Sequence, residues 1–362
     1  MYNILIVGPL PEPTTGVSLA NKVVFEGLTR MDNFSVDVIN TSYNKFDENL
    51  GVFSFSKAFF YLKINFYAFK ILNVDKVYIT PGQTFFGVLK YGLFIVLSRL
   101  FGKELIIHVH GNYLGKEFAQ VKGLKKRILR YFLKMTSKGI VLSESLKGNM
   151  APFVGNDQIF VLYNFVEDYL FLKDENQVPL NGGSGKVKII FLSNLMEEKG
   201  IFDLLEALTN LEEEGFDFKA KIAGNIDSKH SEKLSNYFDK LKNTEYCGVV
   251  SGKAKKDLLF WGNIFVLPTY YEMEGQPISI LEAMATENLI LTTEHAGIPD
   301  IFKDRVNGYY VDKKSPKSIV DKIKLSSDPI ISQSIREYNG SIANKKYKQD
   351  HFIGSFIQIV ES

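Results

Sequence analysis

Short apolar runs alternate with longer stretches of helical periodicity along the chain. Residues 4–7, 36–39, 77–79, 105–109, 139–142 and 159–162 are continuous apolar or β-branched runs. That form, rather than apolar–polar alternation, is what strands need when helices cover both faces of their sheet. Residues 17–28 between the first two repeat their apolar positions at helical spacing. The same grammar restarts after residue 186, with strands at 187–192, 219–223, 264–267 and 289–292 and helices at 201–211, 231–241 and 277–285. This order predicts an α/β chain of two Rossmann-like halves that face each other. Phe352, Ile353, Phe356, Ile357 and Val360 fall at helical spacing, so residues 345–362 read as a terminal helix.

Between the halves, residues 171–185 turn polar and then glycine-rich, ending in Asn181-Gly182-Gly183-Ser184-Gly185. This segment reads as a linker between a domain at 1–170 and one at 186–345. Length agrees: 362 residues exceed the roughly 250–300 at which single cores stop growing. The 43 basic residues nearly balance the 41 acidic ones, which argues against a dedicated nucleic-acid binder. Cys247 is alone, so neither an intramolecular disulfide nor a Cys-rich zinc site is available, and a reducing compartment is indicated. The first residues carry no basic segment ahead of a long apolar run and read as a buried strand rather than a secretory signal. The most apolar stretch, 85–101, is broken by Lys90 and Arg99 and is too short to span a bilayer, so it reads as a buried helix.

Three loops could carry chemistry. The first, Gly8-Pro9-Leu10-Pro11-Glu12-Pro13-Thr14-Thr15-Gly16, lies between a strand and a helix, where free backbone N–H groups favour an anion and Gly16 permits close approach. It matches neither a dinucleotide fingerprint nor a P-loop, and by itself it fits a proline-stiffened connector equally well. The second, Ser193-Asn194-Leu195-Met196-Glu197-Glu198-Lys199-Gly200, places a lysine at a helix start, suited to a phosphate or simply solvated. The third runs from Glu274-Gly275-Gln276-Pro277-Ile278 to Glu282. Pro277 suits a first helical turn, leaving Glu274 and Gly275 in the loop and Glu282 inside the helix. A loop carboxylate there can accept hydrogen bonds from sugar hydroxyls, and a buried Glu282 needs a donor such as a ribose. Read singly, the two glutamates equally fit a cap and a surface carboxylate.

Together these residues resemble the family 4 retaining glycosyltransferases of the GT-B type, which use nucleotide sugars. The resemblance rests on Glu274 and Glu282 in an E-x7-E motif within E-G-x-P-x-x-x-x-E-A-M-A, then His295-Ala296-Gly297-Ile298-Pro299-Asp300 and Asn307-Gly308. Gly8-Pro9-Leu10-Pro11 with Thr15-Gly16, His108-Val109-His110-Gly111, and Asn194-Leu195 with Lys199-Gly200 precede it in the family's order. It implies two Rossmann-like domains across a cleft, the first for the acceptor and the second for the donor, with the helix at 346–362 crossing back to the first. It implies that Lys199 contacts the donor diphosphate, Glu282 the ribose and Glu274 the transferred sugar. His110 lies near the reaction centre, and Gly16 and the backbone of Gly275, Gln276, Pro277 and Ile278 complete the donor cradle. One position departs: Asn194 stands where the family often has an arginine, so leaving-group stabilisation rests more on Lys199 and backbone dipoles.

The resemblance further implies a UDP-sugar donor, with GDP as the alternative, a hexose or N-acetylhexosamine to transfer, and a glycan acceptor, often lipid-linked. It is closest to bacterial enzymes of capsule, O-antigen or exopolysaccharide assembly and implies a cytoplasmic site of action. Two other classes fit the residues, a nucleotide-sugar isomerase or epimerase on the same fold and a noncatalytic nucleotide- or glycan-binding subunit. No cofactor and no metal are expected: His108 and His110 share a strand face, but no carboxylate or cysteine completes a ligand set. Residues 122–138 are basic without an acidic residue. They fit a solvated helix or one lying peripherally on an anionic membrane at its inner face.

Overall fold

The computed structural model describes residues 1–43, 55–172 and 187–362. They form two compact units, each built on a six-stranded sheet. Unit 1 comprises Met1–Asn164, Met273–Gln276 and Asp350–Ser362, and unit 2 comprises Phe165–Glu272 and Pro277–Gln349. The expected linker at 171–185 lies, from residue 173 onward, outside the described residues.

In unit 1 the strands are β1 (Tyr2–Gly8), β2 (Phe34–Asn40), β3 (Lys76–Ile79), β4 (Glu104–Val109), β5 (Lys138–Val141) and β6 (Ile159–Val161). They pair in the order β2-β1-β3-β4-β5-β6, all parallel. Leu5, Ile6 and Val7 have no exposed surface, as expected for a sheet covered on both faces. The connecting helices are α1 (Gly16–Thr29), α2 (Phe55–Asn65), α3 (Phe85–Leu89), α4 (Gly92–Leu100), α5 (Leu114–Gln120) and α6 (Gly123–Leu133).

Unit 2 repeats the plan with β7 (Val187–Leu192), β8 (Phe218–Ala223), β9 (Thr244–Tyr246), β10 (Ile264–Leu267), β11 (Leu289–Thr292) and β12 (Gly308–Tyr310), in the order β12-β11-β10-β7-β8-β9. These pairs too are all parallel. Its helices are α7 (Ile201–Glu213), α8 (Ser231–Lys240), α9 (Gly252–Trp261), α10 (Ile278–Ala285), α11 (Pro316–Ser326) and α12 (Pro329–Lys346). The last helix, α13 (Gln349–Glu361), lies with unit 1.

Charge fixes that last helix. Glu104 on β4 lies between Lys76 on β3 and Lys138 on β5, and its carboxylate takes both ammonium groups. Each lysine also donates to the end of α13, Lys76 to the Val360 carbonyl at 2.8 Å and Lys138 to the Ile359 carbonyl at 2.9 Å. These are terminal carbonyls without intrahelical partners, at the negative end of the helix dipole. Burial pushes the Glu104 carboxyl up, but the bonds from Lys138 and Lys76 outweigh it and hold it below its ordinary value. Phe356 of α13 meets Tyr78 edge-on at 5.1 Å. The expected helix that crosses back to the first domain is thus α13.

Three expectations need correction. Stretch 85–101 is two helices rather than one buried helix. It breaks at Lys90 and Tyr91, where the Tyr91 hydroxyl turns inward to Thr41 at 2.9 Å and Leu93 and Leu100 stay exposed. The basic helix expected over 122–138 ends at Leu133, and Lys138 is a buried strand residue. The terminal helix begins at Gln349, because Lys345 and Lys346 end the preceding helix. Among the described residues no helix is long and apolar enough to cross a membrane.

Candidate functional site

Parallel strands send their β–α loops out at the carboxyl ends, and the candidate site residues sit on such loops. In unit 1, Gly16 is the first residue of α1, behind a capping box in which Thr15 Oγ1 accepts from the Ser18 amide and Ser18 Oγ from the Thr15 amide. Among the described residues no acceptor meets the amides of Gly16 and Val17, the two remaining first-turn donors. Asn21, one turn on, ties this loop down: its Nδ2 donates to the Pro9 carbonyl at 2.9 Å and to Thr80 Oγ1 at 2.8 Å.

The loop Met273–Gln276 belongs to unit 1, although the residues on either side belong to unit 2. A Cβ on Gly275 would stand 2.7 Å from the His110 carbonyl oxygen and 3.0 Å from Gly111 Cα, so glycine is required for this approach. Gln276 is buried and engaged throughout. Its Oε1 accepts from the Asn164 amide at 2.6 Å, its Nε2 donates to the Leu142 carbonyl at 3.2 Å, and its carbonyl accepts from Asn164 Nδ2 at 2.8 Å. Gln83 holds the loop's other end, donating from Nε2 to the Met273 carbonyl at 3.1 Å. These four bonds fix the backbone around Glu274, which is itself buried. Gln83 and Asn164 carry no signal in the sequence, because their partners lie over a hundred positions away.

His108 and His110 bring their rings within 3.9 Å, 37° from parallel. His108 Nδ1 is 2.8 Å from the Tyr78 hydroxyl, whereas Nε2 of each histidine is buried with no hydrogen-bond partner. Burial holds His108 well below its ordinary pKa, with His110 adding to the effect, and pushes His110 down to about 3. Both rings are therefore neutral at physiological pH. Among the described residues no three His, Cys, Asp or Glu side chains gather as a metal site.

In unit 2, β7 leads through Ser193 and the exposed Asn194 to a short bridge, Leu195 with Ile226, and then to the turn Glu197–Lys199. Gly200 follows with φ of 78° and caps α7. A Cβ there would lie 2.5 Å from the Pro268 carbonyl oxygen, so both conformation and contact call for glycine. The Glu198 carbonyl accepts from the Tyr270 amide at 2.8 Å, and Lys199 Nζ lies 5.2 Å over the Tyr271 ring. Lys199 is thus placed immediately ahead of a helix N-terminus, against the loop that leads toward α10.

Pro277 precedes α10 as its cap residue, and Ile278 opens the helix, one position later than expected. Glu282 lies inside it with only 6% of its side chain exposed, and its donor is a protein one. Lys255 Nζ on α9 lies 2.6 Å from Glu282 Oε1 and 2.7 Å from Glu167 Oε2. Burial works to lower the Lys255 pKa, yet the charges of Glu282 and Glu167 outweigh it and raise it above the ordinary lysine value. The sequence does not single out Lys255, because 252–261 carries no distinctive periodicity. The only hint is that a buried glutamate in an apolar helix demands a cation.

Replacing Lys255 with Met strands two partly buried carboxylates. It should cost about 3–5 kcal/mol of stability in thermal or urea unfolding, while Lys255→Arg retains most of it. The histidines set a pH dependence. Unfolded, each takes a proton near its ordinary pKa of about 6.5; folded, they remain neutral well below that. Stability is therefore complete above pH 6.5 and falls as the pH drops, at up to about 1.4 kcal/mol per pH unit for each histidine. Unfolding midpoints from pH 7 to 5 should fall less steeply in His110→Asn.

Residues 173–340 match the family model described as Glycosyl transferases group 1. An uncharacterized glycosyltransferase of Methanocaldococcus jannaschii, MJ1607, is 28% identical over 61% of this chain. The capsular polysaccharide biosynthesis glycosyltransferase CapM of Staphylococcus aureus is 29% identical over 64% of it. The aligned stretches span 58% and 63% of those proteins, so this chain covers under two thirds of either. In structure, HepE of Anabaena, crystallised in complex with UDP, superposes with a TM-score of 0.75 at 14% identity, covering 99% of each chain. In sequence and in fold the chain is a relative of glycosyltransferases, with the two Rossmann-like domains of the GT-B type.

Proposed function

We propose that the chain is a retaining glycosyltransferase of family 4, using a UDP-sugar, or failing that a GDP-sugar. It moves a hexose or N-acetylhexosamine to a hydroxyl of a lipid-linked glycan in bacterial surface polysaccharide biosynthesis. The observation that carries this reading lies in unit 2. At the carboxyl ends of one parallel sheet, Lys199 stands ahead of the α7 N-terminus and the buried Glu282 stands in α10, within the segment matched by the glycosyl transferase model. A cation beside a helix N-terminus suits a diphosphate, and a fixed carboxylate suits a ribose diol. The relatives named for polysaccharide biosynthesis, CapM among them, support the pathway assignment.

In this reading unit 2 holds the nucleotide. Lys199 and the N-terminal dipole of α7 take up charge as the diphosphate leaves, with Asn194 adding an amide donor but no charge. Lys255 already occupies Oε1 of Glu282, so it acts as a positioning residue and leaves Oε2 for the ribose. In unit 1, Glu274 and His110 orient the transferred sugar, with the amides at Gly16 and the backbone of Gly275 as further donors and acceptors. His110 is a neutral hydrogen-bonding group with an orphaned Nε2, not a charged acid. Gln276 contributes by fixing the loop. The acceptor oxygen bonds the anomeric carbon as the bond to the β-phosphate oxygen breaks. The leaving phosphate takes the acceptor proton, and attack occurs on the face the leaving group vacates.

Thermal unfolding with UDP, GDP, ADP and CMP tests the donor site. A nucleotide at about 100 times its dissociation constant should stabilise the chain by roughly 2.7 kcal/mol. UDP should raise the midpoint most, and Lys199→Ala should remove most of that shift. No response to any nucleotide would overturn the reading.

A further inference from the structure

A layer of helices in unit 1 carries an outer surface that the proposed reaction does not use. Helix α2 runs into the 3-10 segment Phe66–Asn73, which contacts α4; α4 contacts α6, and α6 contacts α3. The inner side of this layer is ordinary core, with Ala68, Ile71, Phe94, Ile95, Leu129 and Leu133 buried. Its outer side is not an ordinary surface. Phe66 is 74% exposed, Phe59 72%, Leu124 71%, Leu100 70% and Phe69 64%. Scattered single apolar residues need no explanation, but this many large ones on one layer do.

The charge of the same layer is one-sided. The stretches 55–74, 85–103 and 121–143 contain lysines and arginines but no aspartate or glutamate, in a chain whose overall charge is nearly balanced. Several of the cations lie over aromatic rings, Lys125 over Phe85 and Phe86, and Lys126 and Arg130 over Phe118. Exposed aromatic and aliphatic tips interspersed with cations, with no acidic residue in the three stretches themselves and the neighbouring Asp37 of β2 held by Lys70, are the composition of a surface that lies in the interface of an anionic bilayer. A protein partner would need no such exclusion of negative charge over three separate stretches, and a nucleic acid would not need the aliphatic tips.

We propose that this helical layer of unit 1 docks on an anionic lipid bilayer. Phe59, Phe66, Phe69, Leu100 and Leu124 enter the interface, and exposed cations such as Lys63, Arg99, Lys122 and Arg127 meet headgroup phosphates. The surface is wider than the basic helix expected from the sequence, since four of these five apolar residues, Phe59, Phe66, Phe69 and Leu100, lie on α2, the adjoining 3-10 segment and α4. It stands independently of the donor reading, because binding to lipid requires no nucleotide.

The test is co-sedimentation with vesicles of phosphatidylcholine alone or mixed with phosphatidylglycerol, at low and high salt. Wild type should bind only the mixed vesicles, less so at high salt. Phe66→Ser with Phe69→Ser, and separately Arg99→Glu with Arg127→Glu, should each weaken binding about tenfold or more. These positions are exposed, so unchanged unfolding midpoints serve as the folding control. A Phe66→Trp reporter should shift its emission to the blue with mixed vesicles, while the natural Trp261 lies in unit 2. Absent vesicle binding, or binding undiminished in both double variants, would overturn the proposal. So would a dimer that the phenylalanine substitutions dissociate in the absence of any vesicle binding, which would assign the surface to a second copy of the chain.

Discussion

Every strand pair in both sheets is parallel, and both the helical cover and the placement of the site grow out of that constraint. Parallel strands need crossover connections, so helices cover the sheets and the strands become apolar on both faces. They also put all the β–α loops of a unit at one edge, which is where Gly16, His110, Lys199 and the loop before α10 are found. Chemistry can be placed on such loops only if the backbone there is held still. Gly200 and Gly275 allow close approach, while Asn21, Gln83, Asn164 and Gln276 replace the lost ladder bonds with side-chain ones.

Paired charge does the rest. Each unit sets carboxylate and lysine together at low exposure, with opposite ratios. In unit 1 one glutamate, Glu104, serves two lysines that also hold the end of α13. In unit 2 one lysine, Lys255, serves two glutamates, one of them the Glu282 of the E-x7-E motif. A buried pair of this kind adds little net stability relative to an apolar replacement, but removing one partner is costly. Such pairing therefore fixes geometry more than it adds free energy. The motif is divided as well: Glu274 lies with unit 1 and Glu282 with unit 2.

The strands are legible in the sequence because two-sided burial leaves a continuous apolar run, and 187–192 and 264–267 match their observed limits. Strands β9, Thr244–Tyr246, and β12, Gly308–Tyr310, leave no such run, because the first carries a threonine and a glutamate and the second opens on a glycine. Helices α2 and α4 blur for a different reason: Phe59 on the first and Leu93 and Leu100 on the second are apolar on the outer side, which erases the polar half of the helical period. The candidate site residues are legible as residue types at loop positions. Their supports are not, because Lys255 with Glu167, or Gln276 with Asn164, are pairings made only by the tertiary fold.

At the centre of the proposed function is a division of labour in which Glu282 serves the nucleotide and Glu274 the sugar. Calorimetric titration of UDP and of a UDP-sugar into wild type, Glu282→Gln and Glu274→Gln measures it most directly. Glu282→Gln should lose affinity for both ligands alike. Glu274→Gln should bind UDP as wild type does but lose the added affinity contributed by the sugar. Equal effects of the two substitutions on UDP itself, or none from either, would contradict that division.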